Sequence, residues 1–382
     1  MKSRSSMKTR SGLKSVMAPL VPVALLSACL ADAAEPTTPV QNTNGGERVA
    51  EPSLEHPSHP RFHGADIDQA DLVEVGPDLD GEDADAEELD ESDIESTPFD
   101  GYELFVEAET SAGRQADAWR SVDPDSAALM DVMAAQPIAT WIGEWSGNVA
   151  DTVDDAVTLG GDKLRVFVVY NIPSRDCGYW SSGGASAADS YASFIDEVAR
   201  GLDGRTAIVV LEPDALALTE CLDADQVVER QEMLAAAVDT LTNAGAHVYI
   251  DAGDSAWISA ADMAARLIAA GIYNAAGFAL NVSHTETTSD SIAYADELRA
   301  ILGDVHYVTD TGRNGIGPDA DHSWCNPLGR ALGEDPTLST GVEGLDALLW
   351  IKPPGESDGE CNGGPAAGVW WSAYALGLAQ RA

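Results

Sequence analysis

The chain has 382 residues, with 21 Lys+Arg against 64 Asp+Glu and a formal net charge of −43. A hydrophobic fraction of 45% allows a large core, and the length fits one barrel-sized domain with a tail, or two smaller domains. So negative a field excludes a partner bound through its phosphates, such as nucleic acid, and disfavours anionic lipid surfaces; an uncharged sugar or peptide meets no repulsion.

At the start, Lys2, Arg4, Lys8, Arg10 and Lys14 precede an apolar run from Val16 to Leu26 that ends in Leu26-Ser27-Ala28-Cys29. A basic segment followed by a short apolar one reads as an export signal over residues 1–29, too short to span a membrane stably. Its last four residues resemble a bacterial lipobox, in which Cys29 becomes the lipidated first residue; Ala31-Asp32-Ala33 offers plain cleavage and release instead. The expectation is an exported protein, lipid-anchored at the cell envelope or secreted, that meets a membrane only through an N-terminal lipid. Residues 30–98 are rich in Pro, Gly, Asn, Glu and Asp, and from Asp66 to Glu95 every charge is negative and no aromatic occurs. Such a segment buries too little apolar surface to offset its ordering entropy, so a disordered acidic linker is expected there. The acidity continues into the remainder of the chain, which points to a saline habitat where screening relieves self-repulsion.

From Phe99 the texture changes. Apolar runs at Leu164–Tyr170, Ala207–Leu211, His247–Ile250, Gly277–Leu280, His306–Val308 and Leu348–Ile351 predict strands. Between them, Ser190–Leu202, Ala224–Ala244 and Ile292–Leu302 predict amphipathic helices. Alternation of this kind implies an α/β domain over residues 99–382: a distorted parallel β/α barrel, TIM-like, with a doubly wound open sheet as the alternative. No G-x-G-x-x-G follows the early strands, which argues against a dinucleotide fold.

Polar residues sit just past each predicted strand: Asn171 with Arg175-Asp176, Glu212-Pro213-Asp214, Asp251, Asn281, Asp310 with Arg313, and Lys352 with Glu356 and Asp358. In a barrel these are C-terminal strand ends, where active sites assemble. Carboxylates converging there with few cations point to acid–base chemistry on an uncharged substrate. Neither G-x-S-x-G nor H-E-x-x-H occurs, so no common protease pattern is present. Apart from Cys29, the cysteines are Cys177, Cys221, Cys325 and Cys361, an even number that reads as two disulfides in an exported chain. With no C-x-x-C and no clustered His, neither a metal nor another cofactor is expected.

The motifs then become specific. Val168-Val169-Tyr170-Asn171-Ile172-Pro173-Ser174-Arg175-Asp176-Cys177-Gly178 runs into Ser181-Ser182-Gly183-Gly184, and Val210-Leu211-Glu212-Pro213-Asp214-Ala215-Leu216 follows. After them come Tyr249-Ile250-Asp251-Ala252-Gly253 with Trp257, Gly277-Phe278-Ala279-Leu280-Asn281-Val282 and Asp310-Thr311-Gly312-Arg313-Asn314-Gly315. Trp324-Cys325-Asn326-Pro327 and Trp350-Ile351-Lys352-Pro353-Pro354-Gly355-Glu356-Ser357-Asp358-Gly359 complete the set. In this order, from Phe99 to the C-terminus, they resemble glycoside hydrolase family 6, the inverting cellulases comprising endoglucanases and cellobiohydrolases.

The resemblance implies a distorted barrel of seven strands, a groove across its C-terminal face, and disulfides Cys177–Cys221 and Cys325–Cys361. It makes Asp214 the general acid and Asp176 the neighbouring carboxyl that raises its pKa, the alternative for Asp176 being an ion pair with Arg175 or Arg313. Asp358 corresponds to the proposed base, a role a water relay can also fill. Inverting enzymes hold the two carboxyls roughly 6.5–9.5 Å apart to admit a water. Tyr170 is implied to crowd the ring at the cleavage subsite. Trp141, Trp257 and Trp324 match sugar platforms, while Trp119, Trp350, Trp370 and Trp371 read as core; Trp145 and Trp180 match nothing. Lys352, Glu356 and Asp251 are further implied substrate contacts, and Ser182 lies in a Gly-flanked loop resembling a mobile segment that closes over the substrate.

Two residues depart from the pattern. Asp254 stands where the family has His, and His284 where it has Asn; if close, the two form a pair that restores a donor at the groove floor. The short Asn326–Leu348 connection favours an open cleft. The expected function is endo-acting, inverting hydrolysis of β-1,4-glucosidic bonds in cellulose or related β-glucans by a monomer. The alternatives are cellobiohydrolase-type exo action and a glucan-binding lipoprotein without turnover.

Overall fold

The computed structural model describes residues 97–382; the export signal, Cys29 and the acidic linker lie outside them, save the linker's last two residues. The strands are short, mostly apolar runs, β-branched in β2, β3 and β4: β1 is Thr140–Ile142, β2 Val166–Val169, β3 Ala207–Leu211, β4 Ala246–Asp251, β5 Gly277–Leu280, β6 His306–Asp310 and β7 Leu345–Leu349. All neighbouring strands pair in parallel, in the order β1 to β7. Next to β1 and β7, Ile138 and Trp350 form one further parallel bridge, and the Ala139 amide donates to Trp350 O at 3.1 Å. These few contacts bring the two edges together, so the seven strands curl into a distorted, incompletely closed barrel.

Side chains alternate across the sheet as the pleat requires. Val166, Val168, Ile208, Val210, Tyr249, Ala279, Val308, Ala347 and Leu349 fill one core with Phe99 and Leu164. Their neighbours Phe167, Val169, Val209, Leu211, Val248, Ile250, Phe278 and Tyr307 form the other, against the helices. Those helices are α1 Ser111–Trp119, α2 Pro124–Ala134, α3 Val149–Gly160, α4 Ala188–Leu202, α5 Ala224–Asn243, α6 Ala260–Ala269, α7 Thr288–Leu302 and α8 Ser372–Ala379. Side-chain caps fix several helix starts; at α5, Asp223 accepts from the Gln226 amide while Gln226 Oε1 accepts from the Asp223 amide. A third cluster packs α1, α2 and α8 around Trp350.

Two elements differ from the pattern in the sequence. β1 is three residues long and carries no periodic signal of its own. The last strand begins at Leu345, three residues earlier than its apolar run, and so includes Asp346. That carboxylate is tolerated inside because Tyr249 Oη and His306 Nδ1 reach it at 2.6 and 2.8 Å from other strands.

Candidate active site

The chain leaves β3 through Leu211 into an unusual turn: Glu212 has φ +50° and Asp214 φ +68°, the left-handed region that ordinary side chains avoid. Two carboxylates hold it. Glu212, fully buried, accepts from the amides of Asn171 at 2.9 Å and Ile172 at 3.0 Å, tying the β3 turn to the segment after β2. Asp251, at the end of β4, accepts from the amides of Asp214 at 2.9 Å and Gly253 at 3.1 Å. Arg230 of α5 donates to the carbonyls of Ala215 and Leu218 on one segment and Pro173 and Ser174 on the other. The Cys177–Cys221 disulfide joins the same two segments, and Cys325–Cys361 joins the connections flanking β7. Both pairings are those the resemblance implies.

Asp176 follows β2 and Asp214 follows the neighbouring β3, so both stand on the same rim of the sheet. Burial pushes the Asp214 carboxyl up to about 6; His284 lowers it, Asp254 and Asp358 raise it, and Lys352 lowers it. For Asp176 burial again leads, and with the Asp214 charge it outweighs the Ser181 amide and Arg175, so the carboxyl rises to about 7. The alternative for Asp176, an ion pair with Arg175 or Arg313, does not form: Arg175 is bound to Glu144 and Arg313 to Asp358. Asp251, read from the resemblance as a substrate contact, has a structural task here. It lies 2% exposed beneath the turn, its Oδ1 taken by backbone amides, and it fixes the backbone of Asp214. Burial and the Asp214 charge raise it to about 8.

The two departures from the family pattern come together, with His284 Nδ1 against Asp254 Oδ2. Burial disfavours the imidazolium, yet Asp254 holds the His284 pKa up at about 9, so the ring is charged at neutral pH. Trp257 lies beside it, ring centroids 5.5 Å apart.

Past β7, Asp358 Oδ2 accepts from Arg313 Nη1 at 2.7 Å and the Asn326 amide at 2.8 Å, while Lys352 Nζ lies 3.6 Å from Oδ1. Burial works against its charge, but Arg313 and Lys352 hold it ionised. Burial raises the proton affinity of the nearby Glu356. Lys352 Nζ also lies 5.6 Å from the ring of Trp141, whose Nε1 donates to Ile351 O and whose indole meets Tyr170 edge-on at 5.2 Å. Burial and the charges of Asp214 and Asp176 keep the Tyr170 phenol neutral.

Ser182 is exposed in its loop. Tyr179 packs edge-on against Trp324 at 6.2 Å, and Trp180, half exposed, lies over Gly359 next to Asp358. Sequence reasoning missed Arg230 and Glu144 altogether, and of Glu212 and Asn326, present in its motifs, it missed the supporting role. Glu212 had a signal, a carboxylate directly after the apolar run of β3 and two residues before Asp214; the others act across the fold, on partners no local pattern names. Among the described residues no group of three or more His, Cys, Asp or Glu is arranged to hold a metal ion.

A parallel barrel bearing paired, proton-retaining carboxyls on its C-terminal rim defines a class of enzymes working by proton transfer. Within that class, the chain belongs to the glycosyl hydrolases family 6, whose sequence model matches residues 99–382. Endoglucanase A of Cellulomonas fimi is 47% identical over 272 residues, 69% of this chain and 59% of that protein. The chain therefore spans less than two thirds of that relative. Endoglucanase 1 of Streptomyces halstedii is 42% identical, covering 68% of this chain and 83% of its own. Among solved structures, the endoglucanase Cel6 of Mycobacterium tuberculosis, in complex with methyl-cellobiosyl-4-deoxy-4-thio-β-D-cellobioside, is 42% identical with a TM-score of 0.70, covering 75% of this chain and 99% of that one.

Proposed function

We propose that the protein is an endo-acting β-1,4-glucanase that cleaves cellulose or a related β-glucan with inversion. The observation that carries this reading is the placement of Asp214 and Asp176, two half-buried carboxyls whose proton affinities are raised towards neutrality, after neighbouring strands at the rim of the barrel. Binding alone needs no such acid. The endoglucanase relatives support endo action, and the thio-linked cellobioside held by the Mycobacterium tuberculosis enzyme supports a β-glucan as substrate.

A glycosidic bond breaks through an oxocarbenium-like transition state, so the leaving oxygen needs a proton and the opposite ring face a water. In this reading Asp214 supplies the proton, and Asp176, whose carboxyl is raised further, shares it and returns it at working pH, because two neighbouring carboxyls resist ionising together. The water's proton moves towards Asp358. Bound by Arg313 and Asn326, that carboxylate is a weak base, and its chief contribution is to stabilise the developing positive charge on the sugar. Trp141, Trp257 and Trp324 present apolar faces to the pyranose rings, with Lys352, Glu356 and the charged His284 taking hydroxyls. Tyr170 crowds the ring at the cleavage point, and the loop of Ser182 closes over the chain.

Reducing ends released from soluble β-glucan, with product lengths resolved, test the proposal. Endo action gives a rapid fall in viscosity and a spread of oligomers, exo action gives cellobiose alone, and a non-catalytic binder gives neither. The proposal further takes the protein to be an exported monomer anchored through lipidated Cys29. Metabolic labelling with palmitate tests the anchor: label lost in Cys29→Ser supports it, and label absent from wild type rejects it.

A further inference from the structure

Arg175 is buried beside Asp176, and its guanidinium organises the loop of Ser182. Nε donates to Ser181 O at 2.9 Å and Nη1 to Tyr170 O at 2.8 Å. The outward side is taken by Glu144, just past β1: Nη1 reaches Oε2 at 2.6 Å and Nη2 reaches Oε1 at 3.0 Å, a bidentate pair. The Tyr170 ring lies 4.5 Å from the guanidinium carbon and the Trp145 ring 5.1 Å, so aromatic faces flank the cation. The Asp176 carboxylate accepts instead from the Ser181 amide at 2.7 Å.

The ionisable groups acting on Asp176 are Asp214, Glu220, Arg175, Tyr170 and Tyr179. Arg175 is the one cation in that set. Whether Asp176 retains a proton next to Asp214, or becomes half of an ion pair, therefore depends on where the guanidinium points. We propose that Glu144 is a positioning residue for the acid pair: by holding Arg175 in a bidentate clamp, it keeps the guanidinium off Asp176 and leaves Asp176 to share a proton with Asp214. The inference rests on the catalytic roles proposed above for those two carboxyls. It also gives Trp145, 54% exposed, a function as the cover of the clamp.

The test is Glu144→Gln, which keeps the shape and removes the charge. Losing one negative charge leaves Arg175 uncompensated, so the field at both carboxyls becomes more positive and both ionise at lower pH. Carboxyl-carbon NMR, with the Asp176 signal assigned by its loss in Asp176→Asn, is expected to show its midpoint falling by at least about half a unit. The alkaline limb of the kcat/KM–pH profile is expected to move the same way, with Glu144→Asp, which retains the charge, closer to wild type. An unmoved midpoint in a folded Glu144→Gln protein overturns the inference, as does an equal loss of kcat at every pH with the limb unmoved. If wild type cleaves no glucan while the midpoint still shifts, the catalytic reading fails and the clamp stands.

Discussion

Arg313 donates to Asp358 across 2.7 Å with the arginine 1% and the aspartate 7% exposed, so the ion pair at the rim is almost wholly out of water. Taking two charges from water is costly, and their attraction repays it only while both are present. Arg313→Ala is therefore expected to lower stability by about 3–5 kcal/mol in urea unfolding. The double variant Arg313→Met/Asp358→Leu should regain much of that loss yet remain inactive. Stability unchanged in Arg313→Ala would show the pair to be idle.

The pH dependence of stability follows from groups whose proton affinity rises on folding. Asp214 at about 6, Asp176 and Glu212 at about 7 and Asp251 at about 8 all hold protons that the unfolded chain gives up near pH 4. The native state thus binds more protons between those limits, and stability falls as pH rises through them. His284, raised to about 9, adds stability that is complete below its unfolded pKa near 6.5 and lost as pH passes 9. Both trends have one sign. The melting temperature is expected to drop steadily from pH 5 to pH 9 in calorimetry, against the ordinary optimum near neutrality.

Asp254 and His284 form one unit. Asp254→Ala leaves a buried imidazole without its counter-charge, and His284→Ala leaves a buried carboxylate without its cation, so either change alone disables the pair. Their effects on kcat/KM are expected to be non-additive, with the double variant close to the worse single one. Losses that simply multiply would show the two acting separately.

Net charge makes a prediction of its own. A chain at −43 repels itself, and added salt screens that repulsion. The melting temperature is expected to rise between 0.05 and ~1 M NaCl, where the Debye length falls to about 3 Å. A flat response would mean that the surface charges are already too far apart to interact.

Much of the fold is legible in the chain because buried parallel strands are short, nearly continuous apolar runs; Ala207–Leu211 and Gly277–Leu280 coincide with β3 and β5. The last strand was legible only in part, since Asp346 breaks its run and the partners that compensate it, Tyr249 and His306, sit on other strands far away in sequence. The carboxyls at strand ends were legible by position. Their relations were not: that Arg175 faces Glu144 rather than Asp176, or that Asp251 accepts from the backbone amides of Asp214 and Gly253, depends on loop geometry that no local pattern encodes.

The central claim is that Asp214 donates a proton to the glycosidic oxygen while water attacks the opposite face. Hydrolysis of a soluble cello-oligosaccharide followed by proton NMR tests it most directly. Wild type is expected to release the α-anomer first, with kcat/KM falling above an apparent pKa between about 6 and 7, and Asp214→Asn to lose at least about a hundredfold in rate. Initial release of the β-anomer, or an Asp214→Asn enzyme as fast as wild type, would contradict the account.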